Sequence, residues 1–536
     1  MDWLKARSEL EITFKLIEYI TSWTRKDFIV FGRKLKGKAS FVILLIMLIV
    51  NLSVRGQGDL EKEKSIILAR VGDKTISLKE FIRRAEYTIR PSYCNGNNNL
   101  QKKIVLNSLI AEKMLAIELG ENHELEQNQG FQSYIQGHKE QAMREWLQYQ
   151  EGTWKVKIED SEIQKIYNVA GRTYKVKYFN IPKDSIANIV KEELTNKLET
   201  FESLQNQIWV GKSDSVREVK WNSQENPLII KSLYSDNIAK DTVIGPLQIG
   251  RDDHILMKVV GWTDEKAITD ESKNQRWNDV REDIMKRKAL NLYDEFIIST
   301  MKGKKLEFNK ETFDKIVELL APIYVRSPEE KEKLLSSAMI NQSNKSPELN
   351  HLAGGIKGIY DNYFFRTDGK VWTVKNFLEE LNTHPLVFRN QVKKESEFAN
   401  QFRFAVVDLI RDKYLTQEAY KRGYQNIDAV KEYTNMWNDA LVAQYMKEEF
   451  LKKTIPHLSD SLNTYSVIQD YLNPYIDSLQ KKYSDKIEVN VEEFNKIKLT
   501  RIDVIAIEQH VPYPIMVPSF PQITTDHDLD YGKPMK

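Results

Sequence analysis

The sequence predicts an α+β protein in which helices dominate, with mainly helical modules flanking a small α+β domain and a second, diverged helical module in the C-terminal half. Three observations lead there. Capped amphipathic helical segments fill residues 65–165, alternating aromatic and β-branched runs occupy 166–265, and "DGKVWTVKNFLEEL" (Asp368 to Leu381) repeats the pattern of "GDKTISLKEFIRRA" (Gly72 to Ala85). At 536 residues the chain exceeds one compact domain. Lys and Arg number 79 against 77 Asp and Glu, and this near balance, spread along the whole chain, argues against a nucleic-acid surface. Cys94 is the sole cysteine, which excludes an internal disulfide and any CxxC metal or redox pair; it reads as a small, partly buried apolar residue.

Lys34, Lys36 and Lys38 precede "ASFVILLIMLIVNLSV", an uncharged run of 16 residues, shorter than the roughly 20 a membrane-spanning helix needs. Val54 and Gly56 stand where a signal peptidase wants small residues. Residues 1–56 therefore read as a signal peptide cleaved after Gly56 or, given the long region before the run, as an anchor retained through residues 39–54. Either way the positive flank stays inside and the remainder is exported.

From Ile66 the chain reads as a strand, a Gly-Asp turn and a helix with a Ser77/Glu80 capping box, stopping before Pro91. A core helix follows from Leu100 to Leu119, with Ile104, Leu109, Met114 and Ile117 on one stripe, then another from about Gly130 to Gln150. Ser161 and Gln164 repeat the capping-box spacing. "TYKVKYFNIP" (Thr173 to Pro182) is a strand, a helix covers about 187–209, and "REVKWNS" and "DHILMKVVGW" are further strands of a largely antiparallel sheet. A charged helix spans about 273–302 and belongs to a returning segment, 266–320.

The second module covers residues 321–455, where "LIRDKYLTQEAYKRGY" echoes "LIAEKMLAIELGEN". The offset between the copies drifts from about 296 to about 300 residues, as expected of a diverged duplication. Residues 456–510 read as helix, strand and helix, and the Pro-rich tail, 511–536, as extended and weakly ordered. "HLAGGIKG" (His351 to Gly358) lacks the Lys-Ser/Thr ending of a phosphate loop and reads as a mobile loop. The eight histidines show no metal-ligand spacing, and no cofactor is implied. Trp146, Tyr149, Trp154, Trp437 and Tyr445 fall on helical stretches, mostly as core, with a few left to line a cradle.

"VGDKTISLKEF", "LIAEKML" and "VIGPLQIGRDDHILMKVVGW", in that order, resemble the exported parvulin-type peptidyl-prolyl isomerases and chaperones of the bacterial cell envelope, the SurA, PrsA and PpiD group. The resemblance covers about residues 65–320 and puts Gly245, Pro246 and His254 in register with the family's closing stretch. It implies a parvulin-like domain at 166–265, whose site has two facing histidines, an acid or thiol between them and apolar residues for the proline ring. Here the opening strand offers Tyr178 in place of a histidine, and "EVKWNSQENP" lacks the central acid. His254 and Tyr178 are the candidate catalytic residues, and Gly245-Pro246 reads as a turn.

The function implied is that of a periplasmic or cell-envelope chaperone of the isomerase family, holding unfolded or partly folded exported or outer-membrane proteins, with isomerase activity weak or lost. One alternative is an active isomerase whose polar groups come from Tyr178, Asp252 or Asp253. Another is a structural subunit docked on an outer-membrane assembly complex. The inner membrane is a partner only if the N-terminal segment is retained.

Overall fold

The computed structural model describes residues 66–94, 98–120, 124–209, 215–223, 225–250, 253–327, 330, 347–390, 392–455, 464–499 and 516–535. The signal or anchor segment, Asp252 and residues 511–515 lie outside them. Among the described residues no helix is long and apolar enough to cross a membrane. Two compact units form, residues 150–294 and the remainder.

The larger unit begins with the hairpin β1 (Ile67–Val71) and β2 (Lys74–Ser77). Ser77 caps α1 (Leu78–Glu86) by accepting the Glu80 N–H at 3.1 Å. The other half of the expected capping box is not made, because the Glu80 carboxylate is taken by Lys113 at 2.9 Å. The long helices α2 (Asn98–Leu119) and α3 (Gln129–Glu151) follow.

In the smaller unit come α4 (Asp160–Ala170), β3 (Arg172–Pro182), α5 (Asp184–Thr195), α6 (Phe201–Ile208), β4 (Ser215–Lys220), α7 (Pro227–Tyr234), β5 (Val243–Gln248), β6 (Asp253–Asp264) and the start of α8 (Asp270–Met301). The helix expected over 187–209 is two helices, the second capped by Thr200, whose hydroxyl accepts the Ser203 N–H at 3.2 Å. The strands form one antiparallel sheet in the order β4-β3-β6-β5. No capping box opens α4: the helix starts at Asp160, and Gln164 donates to Asn168. Ile163 of α4 packs on Val280 and Ile284 of α8, so this unit reaches beyond the 166–265 expected.

The chain then returns to the larger unit with β7 (Leu306–Phe308), α9 (Lys310–Tyr324), α10 (Pro347–Gly358), β8 (Tyr363–Thr367), β9 (Lys370–Thr373), α11 (Val374–Glu380), α12 (Glu395–Lys421), α13 (Asp428–Thr454), α14 (Asn473–Tyr483), β10 (Ile487–Val489), α15 (Val491–Lys496) and β11 (Lys533–Pro534). One arrangement occurs twice. β10-β1-β2 and β7-β8-β9 are antiparallel triplets, each followed by a capped short helix and a long one. Asn490 and Asn309, which leave β10 and β7, donate their main-chain N–H to Leu68 O and Phe364 O, both at 2.8 Å. Each side chain then caps the helix that follows. In the second copy the capping box, Thr373 with Asn376, is complete.

Two expectations change here. Residues 302–324 do not return to the first module: β7 pairs with β8, which draws Phe313, Ile316 and Leu320 of α9 into a core with Phe364, Phe377 and Phe402 of the second copy. The first copy is completed from the far end of the chain, by Ile476, Leu479, Ile487, Phe494, Phe520 and Ile523. "HLAGGIKG" is helical, not a loop. A Cβ on Gly355 would sit 2.5 Å from Leu319 Cδ2, so the glycine lets α10 lie close against α9.

The tail is extended as expected but well packed: Phe520, Ile523 and Thr524 are buried, because α2 and β10 supply apolar surface and main-chain partners. Trp146, Tyr149 and Trp437 are core residues and Tyr445 is half-buried, while Trp154 is exposed. Polar groups are also buried. The Lys113 ammonium lies between Glu80 and Asp439, the latter at 3.0 Å, and Asp439 also receives Lys74 at 2.8 Å. Burial alone would lower the Lys113 pKa, but the surrounding Glu80, Asp439 and Glu112 carboxylates raise it above its ordinary value.

Candidate functional site

The two central strands of the smaller unit carry both sequence candidates. β3 and β6 pair along their whole length, with Tyr178 opposite Met257 and Ile181 opposite His254. Side chains alternate along a strand, so neighbours face opposite ways. Tyr174, Val176, Tyr178, Ile255 and Met257 face α7, where Ile229, Leu233 and Tyr234 cover them. Phe179, Ile181 and Leu256 face α5 and α6. His254, two residues before Leu256, shares that second face: its Nε2 lies 3.5 Å from Asp184 Oδ1 at the start of α5. Tyr178 and His254 therefore stand on opposite faces of one sheet.

His254 is buried, and its Nδ1 has no hydrogen-bond partner. Among the described residues Asp184 is its one acidic contact and no second histidine faces it across the strand pair, where Ile181 and Gln248 are its neighbours. The ring is thus fixed between an apolar layer and a single carboxylate. That arrangement orients a histidine on one carboxylate but leaves its other nitrogen buried and without a second group to pass a proton to.

The Tyr178 face is chemically richer. The half-buried phenol lies under the Arg217 guanidinium, 4.5 Å from ring centroid to Cζ, and Arg217 is paired with Glu225 at 3.3 Å. Arg217 comes from β4, opposite Val176, which puts it on the same face. Asp253 is also on this face: the amide of Asn180, two residues beyond Tyr178 and so on the same side of the strand, donates to its Oδ1 at 3.4 Å. The Asp253 main-chain carbonyl closes the β5–β6 turn, accepting from Ile249 at 2.9 Å and Gly250 at 3.0 Å. Toward the β5 edge of the same face the half-buried Ile244, Leu247 and Ile249 supply an apolar floor, while Met257 between is fully buried.

Gly245 and Pro246, expected to form a turn, lie inside β5 at a shift in its pairing with β6. Gly245 has φ +111°, and a Cβ there would meet Ile255 O at 2.6 Å, so only glycine lets β5 close on β6. The motif shapes the floor of the site. Arg217 and Asn180 were not singled out from the sequence. Their only signal there is the alternation of "SVREVK" and "KYFNIP", which acquires meaning once the strand register is known.

Among the described residues no group of three or more His, Cys, Asp or Glu side chains is placed to hold a metal ion. No family model, curated protein or solved structure matches the chain. Fold and site together define a mixed α+β protein, mainly helical with small sheets.

Proposed function

We propose that the chain is an exported cell-envelope chaperone that holds unfolded or partly folded exported and outer-membrane proteins, and that its small α+β unit is a parvulin-like domain in which isomerase chemistry is weak or lost. The observation that carries this reading is the placement of Tyr178 and His254 on opposite faces of the sheet. Turning an X-Pro bond means weakening amide resonance across a barrier of about 18–20 kcal/mol. A site accelerates that only when its polar groups converge on one twisted amide. Two groups separated by a sheet cannot converge, whereas the half-buried apolar floor at the β5 edge of the Tyr178 face still suits an extended segment with a ring or aliphatic side chain. Export in this reading depends on residues 1–56, as a cleaved signal or as an inner-membrane anchor.

A second reading has one observation in its favour. Tyr178, Asn180, Asp253 and Arg217 share a face above that floor, and they would be the polar groups of an active isomerase. A protease-coupled isomerisation assay on a proline peptide, run beside suppression of aggregation of one unfolded outer-membrane protein, separates the two. Suppression without catalysis is the expected result. Catalysis that survives His254→Ala and is lost in Tyr178→Phe or Arg217→Met establishes the second reading. Catalysis lost in His254→Ala overturns the assignment of that residue to the scaffold.

A further inference from the structure

The last described segment, residues 516–535, is bound to the larger unit much as a peptide is bound by a receptor. Most of its polar contacts run through its main chain. The Tyr433 hydroxyl donates to Met516 O at 2.8 Å, Arg84 Nη2 to Ser519 O at 3.0 Å, and Asn107 Nδ2 to Asp526 O at 3.0 Å and Asp528 O at 2.9 Å. Thr525 N donates to Asn473 Oδ1 and Gly532 N to Ser484 Oγ, each at 3.1 Å, and Met535 N to Val489 O at 2.8 Å, where β11 lies parallel to β10. Side-chain contacts are fewer: Thr524 and Thr525 with Asn473, Tyr531 with Asn107, and the Lys533 ammonium with Glu488 at 3.5 Å. Phe520 and Ile523 fill the apolar positions, with two residues between them.

The reading groups are themselves held in place. Arg84 is fully buried and clamped by both Glu112 oxygens at 2.8 Å, which leaves an N–H aimed at a peptide carbonyl. Contacts of this kind take any sequence that is extended and presents apolar residues at the right spacing; main-chain bonds give affinity and pockets give selection. The second copy lacks the reading set. At the echo offsets Arg84 corresponds to Glu380 and Asn107 to Val407, which is exposed.

We propose that the first module carries a groove for extended, proline-containing segments of unfolded proteins with two apolar residues spaced as Phe520 and Ile523 are, and that the chain's own tail is its displaceable occupant. The inference deepens the chaperone reading and rests on it for the identity of the ligand. The tail belongs to the same chain as the groove, so it competes intramolecularly, at an effective concentration on the order of millimolar, and a client enters when it outcompetes the tail.

The test uses the full chain and a fluorescent peptide with the sequence of residues 516–535. The double variant Phe520→Ala, Ile523→Ala loosens the resident tail and is expected to bind the peptide about tenfold or more tightly than the wild type. Adding Asn107→Val, the residue type of the second copy, abolishes that gain. No gain in a folded double variant overturns the proposal, as does loss of cooperative unfolding, which would make the tail an integral part of the core. On the unaltered protein, hydrogen exchange is an independent measurement of the same displacement. Thr525, Gly532 and Met535 amides that open well before those of β1 support it, and equal protection overturns it. Aggregation suppression by the same proteins keeps the two readings apart. Suppression without a peptide gain sinks the groove alone, whereas a peptide gain with no suppression removes unfolded clients as its ligand.

Discussion

α2 and α12 are the same helix twice, with Leu109-Ile110 and Lys113 of one matching Leu409-Ile410 and Lys413 of the other, yet they live in different surroundings. From Ile104 to Leu115 every residue of α2 is buried, Asn107, Ser108 and Glu112 included. α12 keeps a solvent face in which Asp408 is shared by Arg389 and Arg411, and Arg389 lies over Phe404. The stripe expected of α2 describes α12 better. The difference comes from α13 onward: β10 and α15 have counterparts in β7 and α9 of the second copy, but α13, α14 and the tail pack on α2 as well. A duplicated pattern thus specifies the helix and its inner face, while its outer face is set by whatever else the chain delivers there.

The sharpest test removes one cation from each copy. Arg84→Ala leaves Glu112 buried and unpaired and should cost about 3–5 kcal/mol of stability, read from urea unfolding; Arg389→Ala, at a half-exposed pair, should cost at most about 1 kcal/mol. Equal costs would mean that the first copy is not the closed one. Next, Asn107→Val leaves the Asp526 and Asp528 carbonyls and the Tyr531 hydroxyl without their partner, for about 1–3 kcal/mol in the same experiment.

Acid probes the place where α3 and α13 pack. His138 stacks on Trp437 with ring centroids 3.6 Å apart, and burial pushes its pKa down to about 3 from the ordinary 6.5. Between those values the unfolded chain binds the proton and the folded one does not. Stability is therefore whole above pH 6.5 and is lost as the pH falls toward 3, by about 2 kcal/mol at pH 5. His138→Gln should flatten that slope in thermal melts between pH 7 and 5, by comparison with wild type. Glu80 and Glu145, whose pKa values burial raises, act in the opposite sense in both proteins and cancel in the difference. The smallest effect expected is that of Val407→Asn, the reciprocal of the Asn107 change: within about 0.5 kcal/mol, because Val407 is exposed.

Much of the local structure was legible. Ser77, Thr373 and the alternating run at 173–182 announced α1, α11 and β3, and the echo announced the second copy. The misreadings share one cause, in that a local rule met a tertiary neighbour. Glu80 left its capping role for Lys113, Gly355 served helix packing in place of a loop, and the prolines of the tail spaced a docked segment. In the candidate site, His254 and Tyr178 were visible as residues, but their separation onto two faces depends on register, which a one-residue shift would reverse.

By itself the sequence determined the α+β class, most strands and helices, the caps at Ser77 and Thr373 and the duplication, because these rest on periodicity and on hydrogen bonds a few residues long. Only the tertiary structure decided which strand completes which triplet, which face each candidate side chain takes, and that the end of the chain lies on its beginning. Those choices are made by contacts hundreds of residues apart, whose closure no local pattern encodes.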